Sequence, residues 1–203
     1  MSFKNLIVGF LLFASFGCAS SCTSQTDGQT SSIDSAIPEA DIPSVIDWTE
    51  CSGNIGDHGC DFTFQDQNGD DWRLYDHLGS VIILDFSAGW CGYCRVSAGE
   101  VQQTQNDYGN QDVIWVTILV EDASGNPADL AYAQEWASTY GITSAPVLVG
   151  DRSIIDITAA AGYPVTSWPT FVILDRDLII QHGLNGWSKD IILQWLDEVL
   201  KEE

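Results

Sequence analysis

The chain has 203 residues, 45% of them hydrophobic and 11% aromatic, which suits one domain with a substantial core once an N-terminal segment is set aside. Its formal net charge of -22 argues against nucleic acid and against electrostatic docking on anionic lipid. The acidity itself is read as solubility and names no partner.

Met1-Ser-Phe-Lys4 followed by Leu6 to Phe16 has the layout of an export signal. One basic residue precedes about ten mostly apolar ones, too few to span a bilayer as a helix. Ala14-Ser15-Phe16-Gly17-Cys18 resembles a bacterial lipoprotein cleavage box, so residues 1–17 are expected to be a signal peptide and Cys18 the lipidated residue. Cys22 is a second candidate, and ordinary signal peptidase cleavage is the alternative. Each route takes the mature chain out of the bacterial cytoplasm, to the periplasm, where stable disulfides are permitted. Residues 18–45 are rich in Ser, Thr, Gln, Asp and Pro without an apolar period, and read as a flexible tether from membrane to domain. The folded domain is expected over residues 46–203.

Cys51 and Cys60 flank a loop carrying Gly53, Gly56 and Gly59, able to bring the two sulfurs together. A structural disulfide is expected, with a second redox pair as the alternative. His58 between them does not make a metal site, since one His and two Cys leave a fourth ligand missing. Residues 62–74 alternate on both sides of Asn68-Gly69, which predicts a hairpin with a type I′ turn. Asp66, Asn68, Asp70 and Asp71 depart from the spacing of an EF-hand and read as a solvated turn.

Val81 to Ser87 is a near-continuous apolar run, the mark of a central strand covered on both faces. Asp85 interrupts it, and a carboxylate there is costly to bury without a partner or a task. The run leads into Trp90-Cys91-Gly92-Tyr93-Cys94. A helix starting at Cys91 would put that sulfur at the positive end of the helix dipole, where thiolate is favoured over thiol. Cys94, one turn further in, would be placed to attack a mixed disulfide at Cys91. Cys94, Ala98, Val101 and Tyr108 recur at helical spacing, and Gly109 is expected to stop the helix.

Val113 to Val120 predicts a second buried strand. Asn126-Pro127 is expected to start the next helix, whose inner stripe is Leu130, Ala133, Ala137 and Tyr140, and Gly141 to end it. Residues 146–149 read as a short strand and 153–161 as a short helix. Residues 170–174 and 178–182 read as a strand hairpin. Ser188 is expected to cap a last helix with Ile192, Leu196 and Val199 inward. His77 and His182 read as ordinary structural or surface residues. The sum is an α/β domain: a mixed β-sheet sandwiched between helices.

Asp85 to Cys94, together with Ser167-Trp168-Pro169-Thr170 ahead of an apolar strand, resembles a thioredoxin-fold protein. The hairpin before the first central strand and the helix and strand inserted between residues 121 and 162 narrow the resemblance to the TlpA/ResA-like exported thiol-disulfide oxidoreductases. The resemblance implies Cys91 as attacking thiolate and Cys94 as resolving thiol. It implies a cis-proline at Pro169, and Asp85 as the buried acid that exchanges a proton with Cys94. Trp90 would shield one side of the disulfide and Trp168 border the substrate groove. It further implies cysteine-containing client proteins, an upstream thiol donor or acceptor of electrons, attachment to the membrane by the lipid anchor, and no cofactor.

The chain departs from the group at three places: Gly92-Tyr93 stands where Pro is common, Ser97 where several relatives carry Glu, and Trp168 where Thr or Val is usual. The first of these tunes reduction potential, so reductase, oxidase and isomerase all stay open. A copper-binding module on the Cys-x-x-Cys pair is one alternative, although copper-handling relatives use a longer spacing and a downstream His. A thiol peroxidase is another, and would need a lone peroxidatic cysteine in a Thr-x-x-Cys setting.

Overall fold

A computed structural model describes residues 46–201, so the expected signal peptide, the lipidation at Cys18 or Cys22 and the tether lie outside the described residues. The central sheet has five strands in the order β5-β4-β3-β6-β7. They span Val81–Ala88 (β3), Val113–Glu121 (β4), Val147–Val149 (β5), Thr170–Leu174 (β6) and Ile180–Asn185 (β7). β3, β4 and β5 run parallel, whereas β6 is antiparallel to both β3 and β7. All eight residues of β3 are buried, as an apolar run in mid-sheet requires.

Among the described residues, three helices pack against one face: Gly92–Tyr108 (α1), Leu130–Tyr140 (α2) and Lys189–Val199 (α3). Cys94, Ala98 and Val101 of α1, Ala133, Trp136 and Ala137 of α2, and Ile192, Leu196 and Val199 of α3 join the odd-numbered residues Val81 and Ile83 of β3 in one core. The even-numbered Ile82, Leu84 and Phe86 join Tyr163 and Leu174 in the core of the opposite face. That alternation is the two-residue period of a strand, each successive side chain crossing the sheet.

The second face is covered by the hairpin Thr63–Gln65 (β1) and Asp71–Arg73 (β2), and by the segment around Ile154 and Tyr163. The helix expected over 153–161 is absent, and only a single 3-10 turn at Arg152–Ile154 forms. Asp156 explains this locally: its carboxylate accepts the backbone N–H groups of Thr158, Ala160 and Ala161, holding the chain in a tight loop.

Other local details also differ from expectation, and the last strand runs over Ile180–Asn185 rather than 178–182. The β1–β2 turn is not type I′, because Gly69 alone takes positive φ; Asp66 closes a longer loop by accepting from Asn68 N and Asp70 N. α1 ends at Tyr108 with Gly109 as its C-cap, as expected, although Gly109 keeps a right-handed conformation and opens one 3-10 turn, after which Asp112 is the left-handed residue. α2 begins at Leu130 under an Asp129 cap rather than at Asn126-Pro127, since Pro127 is drawn into a bridge with Glu121.

Cys51 and Cys60 are joined in a disulfide. Their loop is stitched to the rest of the domain by Gly53 N to Ala159 O at 2.8 Å, Gly56 N to Ile180 O at 2.8 Å and Gly59 N to Leu178 O at 2.9 Å. The approach at Gly53 is close: a Cβ there would meet the backbone oxygen of Gly162 and lie 2.7 Å from Pro164 Cδ. Since backbone cannot yield as a side-chain end can, Gly53→Ala is expected to lower stability by about 1–3 kcal/mol. Urea unfolding measures it, and an unchanged midpoint would show that the loop adjusts freely.

Candidate active site

The parallel strand β3 ends in the turn Gly89-Trp90, and α1 begins directly after Cys91. Cys91 is the N-cap of α1, in extended conformation, and its Sγ accepts the backbone N–H of Cys94 at 3.2 Å. No acidic residue lies in the first turn to oppose negative charge on that sulfur. The sulfur therefore occupies the position of a side-chain cap, where a thiolate is stabilised by the same N–H and by the dipole of a 17-residue helix. Cys91 and Cys94 are bonded to each other, with Cα atoms 5.3 Å apart. Cys91 keeps 6% exposure while Cys94 has none, so only Cys91 can be reached from outside. Arg95 sits at the same end of the helix, its Nε donating to Gly89 O at 2.9 Å.

Gly89 has a steric reason. A Cβ at this position would run into the Tyr132 hydroxyl of α2 and lie 2.8 Å from Ala123 N. The inserted helix is thus pressed against the turn that presents Trp90 and Cys91.

Asp85 lies on the helix-covered face of β3, in register with Thr117 of β4 on one side and Phe171 of β6 on the other. It is wholly buried. Burial pushes its carboxyl up from 3.8 to about 7, against the opposing effects of the Ser87 hydroxyl and the Trp115 indole. Ser87 Oγ donates to Asp85 Oδ1 at 2.7 Å. The Trp115 N–H favours the ionised form from nearby but outside hydrogen-bonding geometry. Asp85 Oδ2, Trp115 Nε1 and Thr117 Oγ1 thus all lack a hydrogen-bond partner among the described residues. Three unsatisfied polar atoms on neighbouring strand positions form a polar island inside an apolar core.

Trp168 is half-buried and touches the cores of both faces, and the Trp168-Pro169 peptide bond is cis. Thr170 Oγ1 donates to Ser167 O at 2.7 Å, tying this loop to the start of β6. Tyr93 and Val96 on α1 are exposed, as is Trp90.

The profile of the AhpC/TSA family matches residues 55–183. The chain belongs to the AhpC/TSA family. It is 25% identical to the thiol-disulfide oxidoreductase ResA of Geobacillus thermodenitrificans over 146 residues, 71% of this chain and 78% of ResA. A solved thiol:disulfide interchange protein DsbE from Chlorobium tepidum superposes with a TM-score of 0.60 at 25% identity, covering 72% of this chain and 98% of that one. The exposed lipoprotein thioredoxin Etrx1 of Streptococcus pneumoniae gives a TM-score of 0.56 at 27% identity, covering 68% and 99%. Within the AhpC/TSA family the chain is therefore a thioredoxin-fold protein of the TlpA/ResA-like group, and its activity is protein thiol-disulfide oxidoreduction.

Every residue singled out in the Cys-x-x-Cys segment is found at one place, at the end of β3 and the start of α1. Ser87, Thr117 and Trp115 around Asp85 were not anticipated. Ser87 was visible as the residue two positions on, on the same strand face; the other two required the register of β4. Glu121 and Arg152, which hold Trp90, were also missed, because no local pattern links residues so far apart.

The buried acid makes stability depend on pH. An unfolded aspartate loses its proton near pH 4, whereas native Asp85 keeps its own until about 7. Between those values the native state binds the extra proton, so this group's contribution falls as pH rises and levels off above 7. At about 1.4 kcal/mol per pKa unit, the full loss is on the order of 4 kcal/mol. The stability of wild type minus that of Asp85→Asn is therefore expected to decline by this order between pH 4 and pH 8. A difference that stays flat would show that Asp85 ionises as it does in water.

Proposed function

We propose that this protein works outside the cytoplasm, exchanging disulfides with cysteine-containing client proteins through Cys91 and Cys94. The observation that carries the reading is the capping sulfur of Cys91 bonded to a fully buried Cys94, on the same sheet face as a buried acid. In the reducing direction the Cys91 thiolate attacks one sulfur of a client cystine. That bond breaks, its other sulfur leaves as a thiolate and takes a proton from solvent, and Cys91 is held in a mixed disulfide. Cys94 then passes its proton to the Asp85 carboxylate and attacks the Cys91 sulfur. The mixed disulfide breaks, and the second client thiolate leaves and is protonated. Two electrons have moved to the client, and the protein ends as the Cys91–Cys94 cystine. Run backwards, a client dithiol reduces the cystine and is itself oxidised.

Asp85 suits the proton step because a carboxyl poised at about 7 can both accept and return a proton near neutrality. Pro169 offers no backbone N–H, which leaves the chain beside Trp168 open to a client segment, with Trp90 shielding one side of the disulfide. Electrons pass by thiol exchange alone, and an upstream thiol protein resets the pair. The Cys51–Cys60 disulfide has a structural role, supported by the 6% exposure of Cys60 and by the three glycine hydrogen bonds of its loop. Export, lipidation at Cys18 and tethering through residues 18–45 are supported by the signal-like leader and cleavage box, and by the likeness to the Streptococcus pneumoniae lipoprotein thioredoxin.

Cys91→Ser is expected to reduce insulin no faster than dithiothreitol does alone. Cys94→Ala should accumulate mixed disulfides with exported proteins, resolved on non-reducing gels. Full activity in the first variant, or no adduct in the second, would sink the dithiol reading.

A further inference from the structure

Trp90 precedes the attacking cysteine and is 45% exposed, yet its indole is anchored. Its Nε1–H donates to Glu121 Oε2 at 2.7 Å. The other oxygen of that carboxylate, Oε1, accepts from Arg152 Nε at 2.9 Å and from Arg152 Nη2. Each Glu121 oxygen thus has its own donor. Glu121 is the last residue of β4, beside Ala88 at the end of β3, and its backbone oxygen accepts the Gly89 N–H at 2.8 Å. Arg152 lies far along the chain, in the segment joining β5 to β6, where the Asp151 carboxylate fixes the turn by accepting Ser153 N at 2.7 Å. Two parts of the fold distant in sequence therefore meet on one side chain of the active-site turn.

The exposures show why Arg152 matters. The Glu121 side chain keeps 12% exposure, whereas that of Arg152 keeps 64%. A carboxylate so nearly buried is costly without a counter-charge, and without the guanidinium it gains by turning toward water and leaving the indole. The guanidinium holds it with two donors of one rigid planar fork, Nε and Nη2, whereas an ammonium on a flexible stem has no such fixed geometry. With its N–H already engaged, Trp90 offers a client only the apolar face of its ring.

We propose that Arg152 is a positioning residue for client recognition: acting through Glu121, it locks the Trp90 indole as a rigid apolar wall beside the Cys91–Cys94 pair, matched to an apolar side chain next to the client's cysteine. The inference rests on the dithiol reading above. A wall ordered before binding has no freedom left to lose when a client docks, so the clamp acts on recognition more than on sulfur chemistry.

The test is steady-state insulin reduction by the full chain, with indole N–H resonances followed in 15N spectra and Trp90 assigned through Trp90→Phe. Arg152→Ala is expected to raise KM for insulin about tenfold, the loss that accompanies one charge-assisted hydrogen bond, with kcat within about twofold. Arg152→Lys should fall between. Glu121→Gln should give a similar KM, and the double variant should be no worse than either single one, because the two residues act as a unit. The Trp90 indole resonance should shift in both single variants. An Arg152→Ala protein that melts earlier but keeps its KM and its Trp90 resonance would overturn the proposal, as would additive effects of the two substitutions. Were wild type inactive on insulin, the dithiol reading would fall instead, and an unmoved Trp90 resonance in Arg152→Ala would separately refute the clamp.

Discussion

A sulfur atom capping a helix is the interaction on which the rest of this protein turns. Cys91 Sγ takes the Cys94 N–H, one of the orphan donors that every helix start must satisfy. The same contact sets the start of α1, brings the second cysteine within bonding reach and gives a place for negative charge. A serine or aspartate would cap the helix as well, but neither could form and break a bond with another sulfur. Structure and reactivity are thus met by one atom.

The sheet supplies what that atom needs. β3 carries the turn into the helix, and its alternating faces send Asp85 and Ser87 toward the cysteines while Leu84 and Phe86 face the opposite core. β4 and β6 wall in the carboxyl with Trp115 and Phe171, ring centroids 5.9 Å apart. Apolar walls raise the acid's proton affinity, and the partnerless polar atoms beside it show that this was not arranged for stability. The segments between β4 and β6 contribute in a different way, through Tyr132 of α2 against Gly89 and, after β5, Arg152 through Glu121 on Trp90.

Much of this was legible in the residues. The near-continuous apolar run of β3 with burial on both faces, the apolar run of β4, the Gly141 stop of α2 and the inward stripe Ile192, Leu196 and Val199 follow from local patterns. So did the pair Cys91 and Cys94 and the oddity of Asp85. What failed did so where another contact overruled a propensity. Asp156 gathers three N–H groups and prevents a helix; Asp66 does the same to a two-residue turn. Pro127, a good helix starter, is claimed by Glu121 instead. Contacts such as Glu121 with Trp90 span 31 positions and depend on strand register, which no window of local sequence contains.

The complete burial of Cys94 has a consequence for traffic at this centre. Any foreign thiol, whether client, donor or small molecule, must knock at Cys91, and the inner sulfur answers only from within. If the pair works as proposed, an adduct formed at the surface has its release mechanism behind it, so a stalled partner would be ejected without help from outside. A pair with both sulfurs open would admit two attachment points and could be jammed at the one with no neighbour to clear it.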